Sequence, residues 1–303
     1  MKELFRRYGR GPGAVVLSLV VIWIAMLIVL PNLHMIEQSF RPFLPAAEVG
    51  GPKDQYTINN YAIVFSGETV KDFWGLKVPV HLFVLLQTIV YSLVVTVACM
   101  LIAYPVGYAL ALVISPRNLP LFLLLLVMPL LVSDMLRVFA WYVILSFSGP
   151  LNWFIDLLGF EKVRWINGFN AITITLAYSC VLFMVIPIYN AVATLNRSIV
   201  EAAEDLGAKR WQIHRDIIIP HAKTGIASGC TMVFMFSVGS VITPNIMGSP
   251  DSRWFTQIIE QWMSRSYDWN AAAAYSFLLL LVCTIFVSIT MRIFRVSLNQ
   301  IAK

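Results

Sequence analysis

The chain has 303 residues, 59% of them hydrophobic and only 13% charged, with a formal net charge of +6. A soluble domain carries roughly 25% charged residues, so this chain lacks the polar side chains to cover a water-facing surface of its size. That composition excludes an ordinary soluble domain, and with it a nucleic-acid binder, whose basic patch and exposed aromatics need a water-soluble face; the membrane class is left.

The chain opens on the basic head MKELFRRYGR and continues as a long apolar run with no small-x-small cleavage site after Leu30. It reads as an uncleaved anchor rather than a signal peptide. A spanning helix needs roughly 20 mostly apolar residues, and six stretches qualify: 14–36, 82–114, 119–148, 170–194, 221–247 and 271–294. The predicted fold is an all-α membrane protein of six transmembrane helices. Residues 1–81 would hold the N-terminus, the first helix and a long outer segment, and 82–303 a five-helix core. Within the second span lies YPVGY, where Pro105 removes a helix hydrogen bond and Gly107 loosens the backbone, so a kink is predicted there.

The third span carries Asp134 and Arg137. Ionisable groups inside a span are costly and face a partner or a water-filled pathway. At i and i+3 the two share one helix face, so they can also simply pair with each other. Four cysteines, Cys99, Cys180, Cys230 and Cys283, all lie in apolar runs. They read as small core residues rather than disulfides or metal ligands.

Lysine and arginine fix the predicted orientation. With both termini cytoplasmic, the inner segments 1–13, 115–118, 195–223 and 292–303 hold 13 Lys or Arg in 58 residues. The outer segments 37–81, 149–169 and 248–270 hold 8 in 89. The positive-inside rule favours this arrangement.

Between the fourth and fifth spans the apolar pattern breaks for EAAEDLGAKRWQIHRDIIIP, residues 201–220, within a predicted cytoplasmic loop at 195–221. Ser198 and Glu201 have capping-box spacing, Glu204 and Asp205 suit the positive end of a helix dipole, and Gly207 is a natural stop. A second short helix is predicted through AKRWQIHRDI, entering the fifth span at Pro220. Ile199, Ala203 and Leu206 repeat at helical spacing and would form one narrow apolar face. Read from physics alone, the loop either lies on lipid headgroups or docks another protein. Gly225 and Gly229 form a small-x-x-x-small pair suited to close helix approach.

This stretch resembles the EAA loop of permease subunits of ATP-binding-cassette (ABC) importers: Glu-Ala-Ala, three residues, Gly, nine residues, then Ile-x-Leu-Pro. Glu201, Ala202, Ala203, Gly207, Ile217 and Pro220 match it in spacing, and Ile219 stands where leucine is usual. The resemblance implies the type I importer permease fold and a coupling helix that seats in a separate ATPase subunit. It also implies as partners a second permease, a paralogue, together with two ATP-binding subunits and a periplasmic binding protein. No cofactor is expected on this chain, since it has no phosphate-cradling G-x-x-x-x-G-K-[ST] loop; ATP and Mg would be used by the partner ATPase. Neither a zinc motif nor a serine–histidine–acid arrangement appears, so the chain is not read as an enzyme. The localisation implied is the bacterial inner membrane.

Further segments resemble the spermidine/putrescine branch of the same family. They are Asn60 and Tyr61; Thr88, Ser92 and Thr96 at fourfold spacing; Tyr104 and Pro105; Arg137, Ala140 and Trp141; and the stretches VITPNIMGSP and DWNAAAAY. A polyamine path would offer carboxylates and aromatic faces. Asp134, Arg137, Trp141, Tyr142, Glu260, Asp268 and Trp269 are therefore candidate pathway residues, although tryptophan and tyrosine also form interfacial belts. Three alternatives remain at this stage: a permease for another small solute such as an opine or amine; an ion-coupled secondary transporter, which would show inverted repeats; and a non-transporting membrane scaffold or lipid-modifying enzyme, which would call for a catalytic cluster at one membrane face.

Overall fold

The computed structural model describes residues 10–45, 48, 50–66, 70–73 and 76–295. The basic head before Arg10 and the tail from 296, both used in the orientation argument, lie outside the described residues. Helix α1 runs over Arg10–Ile24, a π turn at Ala25–Val29 and Leu30–Ser39. After α2 (Asn59–Phe65) come two short strands, β1 (Val70–Phe73) and β2 (Leu76–Pro79). They pair antiparallel with Val70 opposite Pro79 and Phe73 opposite Leu76. This hairpin departs from the all-α expectation. Its strands are only four residues each, too short for a two-residue period to stand out beside the neighbouring spans.

The long helices follow. They are α3 (Val80–Tyr108, widening into a π turn at Ala109–Val113), α4 (Leu119–Val127, tightening to 3-10 over Met128–Leu131), α5 (Asp134–Leu145), α6 (Pro150–Leu157) and α7 (Phe169–Ala193). A short α8 (Arg197–Asp205) precedes α9, which comprises Arg210–Ile213, a π turn at His214–Ile218 and Ile219–Gly239. The described chain closes with α10 (Ile242–Met247), α11 (Phe255–Ser264) and α12 (Trp269–Phe294). Five stretches are long and apolar enough to cross a membrane: Ala14–Ser39, Val80–Val113, Asp134–Leu157, Phe169–Ala193 and Trp269–Phe294.

Two predicted spans are corrected. The stretch 119–148 is not one helix: it breaks at Val132 and Ser133, both extended, and restarts at Asp134. Pro129 supplies the physical reason, because it lacks an N–H and its ring crowds the preceding turn. Asp134 is then favoured where the new helix's dipole is positive. The stretch 221–247 likewise stops at Gly239, passes through an extended Ser240, and resumes only as the short α10. By contrast, α3 runs through Pro105 unbroken and widens one turn later, at Ala109.

Helices α3, α7 and α9 form the centre of the bundle, with α12 against α9. Lipid tails are as apolar as leucine, so helices in a membrane associate through close packing and hydrogen bonds rather than through escape from water. The sequence supplies both. A methyl group at Gly225 would run into the Pro187 carbonyl of α7, and one at Gly229 would lie 2.9 Å from Met184 Cγ. Thr88, Ser92 and Thr96, at fourfold spacing, turn one polar face of α3 inward. There the Ser237 hydroxyl of α9 donates to Ser92 Oγ at 3.2 Å, and the Phe255 N–H of α11 donates to Thr88 Oγ1 at 2.9 Å. Cys99, Cys180 and Cys230 are buried in this core as free thiols.

The first part of helix α1 stands apart, and none of its most apolar window is buried, whereas its last segment, Leu30–Ser39, packs against α12. Only its end is held. Asn60 Nδ2 donates to the Ser39 and Arg41 carbonyls at 2.9 Å each, the Tyr61 and Ser39 hydroxyls bond at 2.7 Å, and Asn270 Nδ2 donates to Arg41 O at 3.1 Å. These contacts give the Asn60–Tyr61 pair its physical role. Arg41 also bridges Glu37 (2.6 Å) and Asp54 (2.9 Å), and its guanidinium is held further toward the charged form by its bond to Glu37 and the charge of Asp54.

Because Gly225 leaves no room beside Pro187, Gly225→Val is expected to force α9 from α7. The cost should be about 1–3 kcal/mol, the usual range for overpacking, and would be read as a lowered thermal midpoint in detergent; an unchanged midpoint would contradict this packing.

Candidate functional site

The loop at 195–221 folds as two elements set at an angle by Gly207. Helix α8 begins not at Ser198, as the capping-box spacing suggested, but at Arg197, with Asn196 as its cap. The Asn196 side chain accepts the Ser198 N–H at 3.2 Å. It ends where Gly207 adopts a φ of +79°, a conformation that costs an L residue roughly 1–2 kcal/mol. The next helix starts with the Gln212 side chain accepting the Lys209 N–H at 2.7 Å. It then passes through Pro220 without interruption. The π turn at His214–Ile218 widens the helix just ahead of the proline, which relieves the crowding a proline ring would create. The expected short second helix is thus the first turns of α9, so the part of the loop after Gly207 and the spanning helix form one continuous rod, and α8 is set off from it by the Gly207 turn.

The two faces of the loop differ. Ile213 and Ile218 are buried and Ile217 and Ile219 half-buried in the bundle, with Val200 and Ala203 packed against the same core. Ile199, Leu206 and Trp211 face outward, Leu206 at 89% exposure. Glu201 and Ala202 are also exposed, as is Pro220. The expected apolar face therefore divides: Ala203 packs inward, whereas Ile199 and Leu206 have no cover among the described residues. Arg215 donates twice to Asp216, at 2.8 and 3.1 Å, which holds that carboxyl below its usual range.

Two further contacts tie the loop to α3. The Tyr104 hydroxyl bonds His214 Nδ1 at 2.8 Å, with the Tyr108 ring 4.7 Å from the imidazole. Arg197 Nη2 donates to the Ala111 carbonyl at 3.4 Å, inside the π turn that ends α3. Sequence reasoning missed Asn196, Arg197 and His214 as parts of this assembly. The one available signal was Tyr104 and Tyr108 at i and i+4 around Pro105.

The candidate pathway residues fall into separate places. Asp134 and Arg137 pair at 3.0 Å and line a cavity of about 480 Å³ together with Ser179, Phe183, Phe236, Gly239, Ser240 and others. Trp141 packs against Tyr178 with ring centroids 5.3 Å apart, and Tyr142 is 40% exposed. Glu260 lines a second, polar pocket of about 450 Å³, where it accepts from Asn245 Nδ2 at 2.7 Å. Asp268 caps α12, its Oδ1 accepting the Ala271 N–H at 2.9 Å, and Trp269 is exposed beside it. Only Asp134 and Arg137 share one cavity.

Comparison with known proteins follows this geometry. Residues 103–299 match the family described as binding-protein-dependent transport system inner membrane component. The chain is 30% identical over 270 residues to the spermidine/putrescine transport system permease protein PotB of Salmonella typhimurium (strain SL1344), covering 88% of each chain. It is 30% identical over 265 residues to the protein of the same name from Escherichia coli (strain K12), covering 87% of this chain and 90% of that one. Among solved structures, a chain of a bacterial alginate ABC transporter in complex with alginate pentasaccharide-bound periplasmic protein superposes with a TM-score of 0.71 at 15% identity. The match covers 98% of this chain and 99% of that one.

Asn196→Ala should fray the start of α8, costing about 1 kcal/mol as cap removals do. Hydrogen exchange of the amides at 197–200 is the measurement; unchanged protection would show that packing rather than the cap holds this end.

Proposed function

This chain belongs to the family of binding-protein-dependent transport system inner membrane components, and from that premise we propose that it is the permease subunit of an ATP-driven importer of polyamine-like cations. It is a multi-pass protein of the inner membrane. We take six crossings, α1, α3, the pair α4–α5, α7, α9 and α12, of which α1, α3, α7 and α12 lie in stretches long and apolar enough to span by themselves, with both termini cytoplasmic as the lysine and arginine distribution favours. The loop at 195–221 then lies in the cytoplasm. The partners are a second permease, a paralogue, with two ATPase subunits that bind ATP and Mg and a periplasmic binding protein that delivers cargo. The polyamine cargo rests on the two named relatives.

One observation carries the coupling role. Helix α8 is capped at its start, stopped by a positive-φ glycine, and presents Ile199, Leu206 and the nearby Trp211 uncovered, while Ile213 and Ile218 root the next helix in the bundle. A water-exposed apolar edge on a rigid rod suits a protein cleft, because burying such side chains contributes about 1.5–3 kcal/mol each. Glu201, Ala202 and Ala203 lie in that helix, and Gly207 sets the angle. Ile217, Ile219 and Pro220 lie where the rod enters the bundle. A displacement of α8 reaches α9 through the short turn at Gly207–Lys209. Through Tyr104–His214 and Arg197–Ala111 it also reaches α3.

Glu201→Arg and Gly207→Pro should leave membrane insertion intact while lowering ATP-dependent spermidine uptake at least about tenfold, the factor that 1.4 kcal/mol of lost coupling produces. Uptake would be measured in vesicles carrying the whole importer. Wild-type rates in both variants, or uptake persisting without ATP, would remove the coupling role.

A further inference from the structure

We propose that the cavity between α5, α7 and the end of α9 is a way station for an amino-terminated cation, at which an incoming ammonium displaces Arg137 from Asp134. This builds on the reading of the cargo as a polyamine-like cation.

The location comes first. Counting ~1.5 Å of rise per residue, Ser179 lies about 21 Å above Ala193 at the loop end of α7, and the α4–α5 break lies at a similar height above Leu119. Two chain breaks, at Val132–Ser133 and Ser240–Val241, thus meet around one cavity within the bundle. Irregular backbone is tolerated at membrane depth only where protein buries it or water lines it. Discontinuous helices of this kind place charged helix ends and free carbonyls beside a ligand in transporters.

The chemistry of the lining selects the ligand. Asp134 is 45% exposed whereas Arg137 is 12% exposed, so of the two charged groups lining the cavity the carboxylate is the more open to an incoming ligand. A carboxylate so placed cannot face lipid, and the open side therefore faces water or the second permease. Among the described residues only its Oδ1 is bonded, to Arg137 Nη2. The end of α9, at Gly239 and Ser240, opens into the same space with the negative partial charge of a helix C-terminus. Phe183 and Phe236 stack 4.4 Å apart on the wall and offer apolar surface to methylene spacers. A carboxylate, a helix C-terminus and an aromatic wall together fit a flexible alkylammonium.

Two polar atoms are left over. Ser179 Oγ, on a residue 6% exposed, and Arg137 Nε are buried without a partner. Their presence gives Arg137 a reason to move. In the empty site it neutralises Asp134. When an ammonium takes the carboxylate, Ser179 Oγ offers the guanidinium an acceptor, and its return to Asp134 releases the cargo. A site that held the cation without such a competitor would trap it, since transport requires binding weak enough to leave.

The test uses the complete importer in liposomes with its partner subunits, and assembly of each variant is checked by copurification. Asp134→Asn is expected to lower the kcat/KM of spermidine uptake at least about tenfold, as loss of a charged hydrogen bond does. Arg137→Gln should lower both kcat and KM, because the cation binds and is not expelled. A merely structural pair predicts instead that the neutral double variant Asp134→Asn, Arg137→Gln regains wild-type uptake, and that recovery would overturn the proposal. A second arm does not depend on the cargo. In a Cys180→Ser background, since Cys180 lines the same cavity, Ser240→Cys should react with 2-aminoethyl and 2-sulfonatoethyl methanethiosulfonate, and adding Asp134→Asn should shift the rate ratio toward the anionic reagent at least about threefold, as removal of one nearby charge does. No labelling by either reagent at any stage of the ATP cycle would show the cavity dry and sink the assignment. Import of a different solute with charge-sensitive labelling intact would fault the cargo reading alone.

Discussion

In lipid every backbone N–H and C=O must find its partner within the chain, and this structure is organised by where it meets that demand and where it relaxes it. Helices α3, α7 and α12 meet it over 29, 25 and 26 residues of continuous α-helix. The relaxations are grouped. Both interrupted spans open beside the Asp134–Arg137 pair, and the π turns that end α3 and lie within α9 come together where His214 bonds Tyr104. Much of the irregular backbone is therefore gathered at these two places, while the π turn at Ala25–Val29 lies apart in α1.

Packing follows from the same solvent. With no water to escape, the helices approach through absent side chains and short hydroxyls. Gly225 and Gly229 let α9 lie against Pro187 and Met184, and Thr88, Ser92 and Ser237 supply hydrogen bonds across the joint. A joint made of close contacts and directed bonds transmits displacement better than one made of long flexible side chains, because close-packed interiors deform little. That property suits α9, which is both the continuation of the loop and the central helix of the bundle.

The two poles of the chain are joined by α9, and by α7 beside it. At one end lies the uncovered apolar edge of Ile199, Leu206 and Trp211. At the other is Gly239, where the helix stops and the cavity begins. In the importer reading, closure of the ATPases acts on the first and the passage of a cation on the second. The Tyr104–His214 bond joins the same loop to α3, so in that reading two of the three central helices would receive the same stroke.

What the sequence determined by itself was set by strong, local signals. Apolar runs long enough to span a bilayer placed the ends of α3, α7 and α12 within two residues, since composition and helix rise leave little choice. The stop at Gly207 was legible because only glycine takes that φ freely. The family was legible in the spacing of Glu201, Gly207 and Pro220. What only the tertiary structure decided were outcomes of competition between neighbours. Pro129 and Gly239 lie in runs apolar enough to read as uninterrupted helix; contacts from α7 and α10 make the breaks tolerable. The cap went to Asn196 rather than Ser198 because the end of α7 fixes where the chain turns. The gathering of Asp134, Ser179 and Ser240, 106 residues apart at the extremes, depends on three helices meeting at one height, which no local pattern encodes.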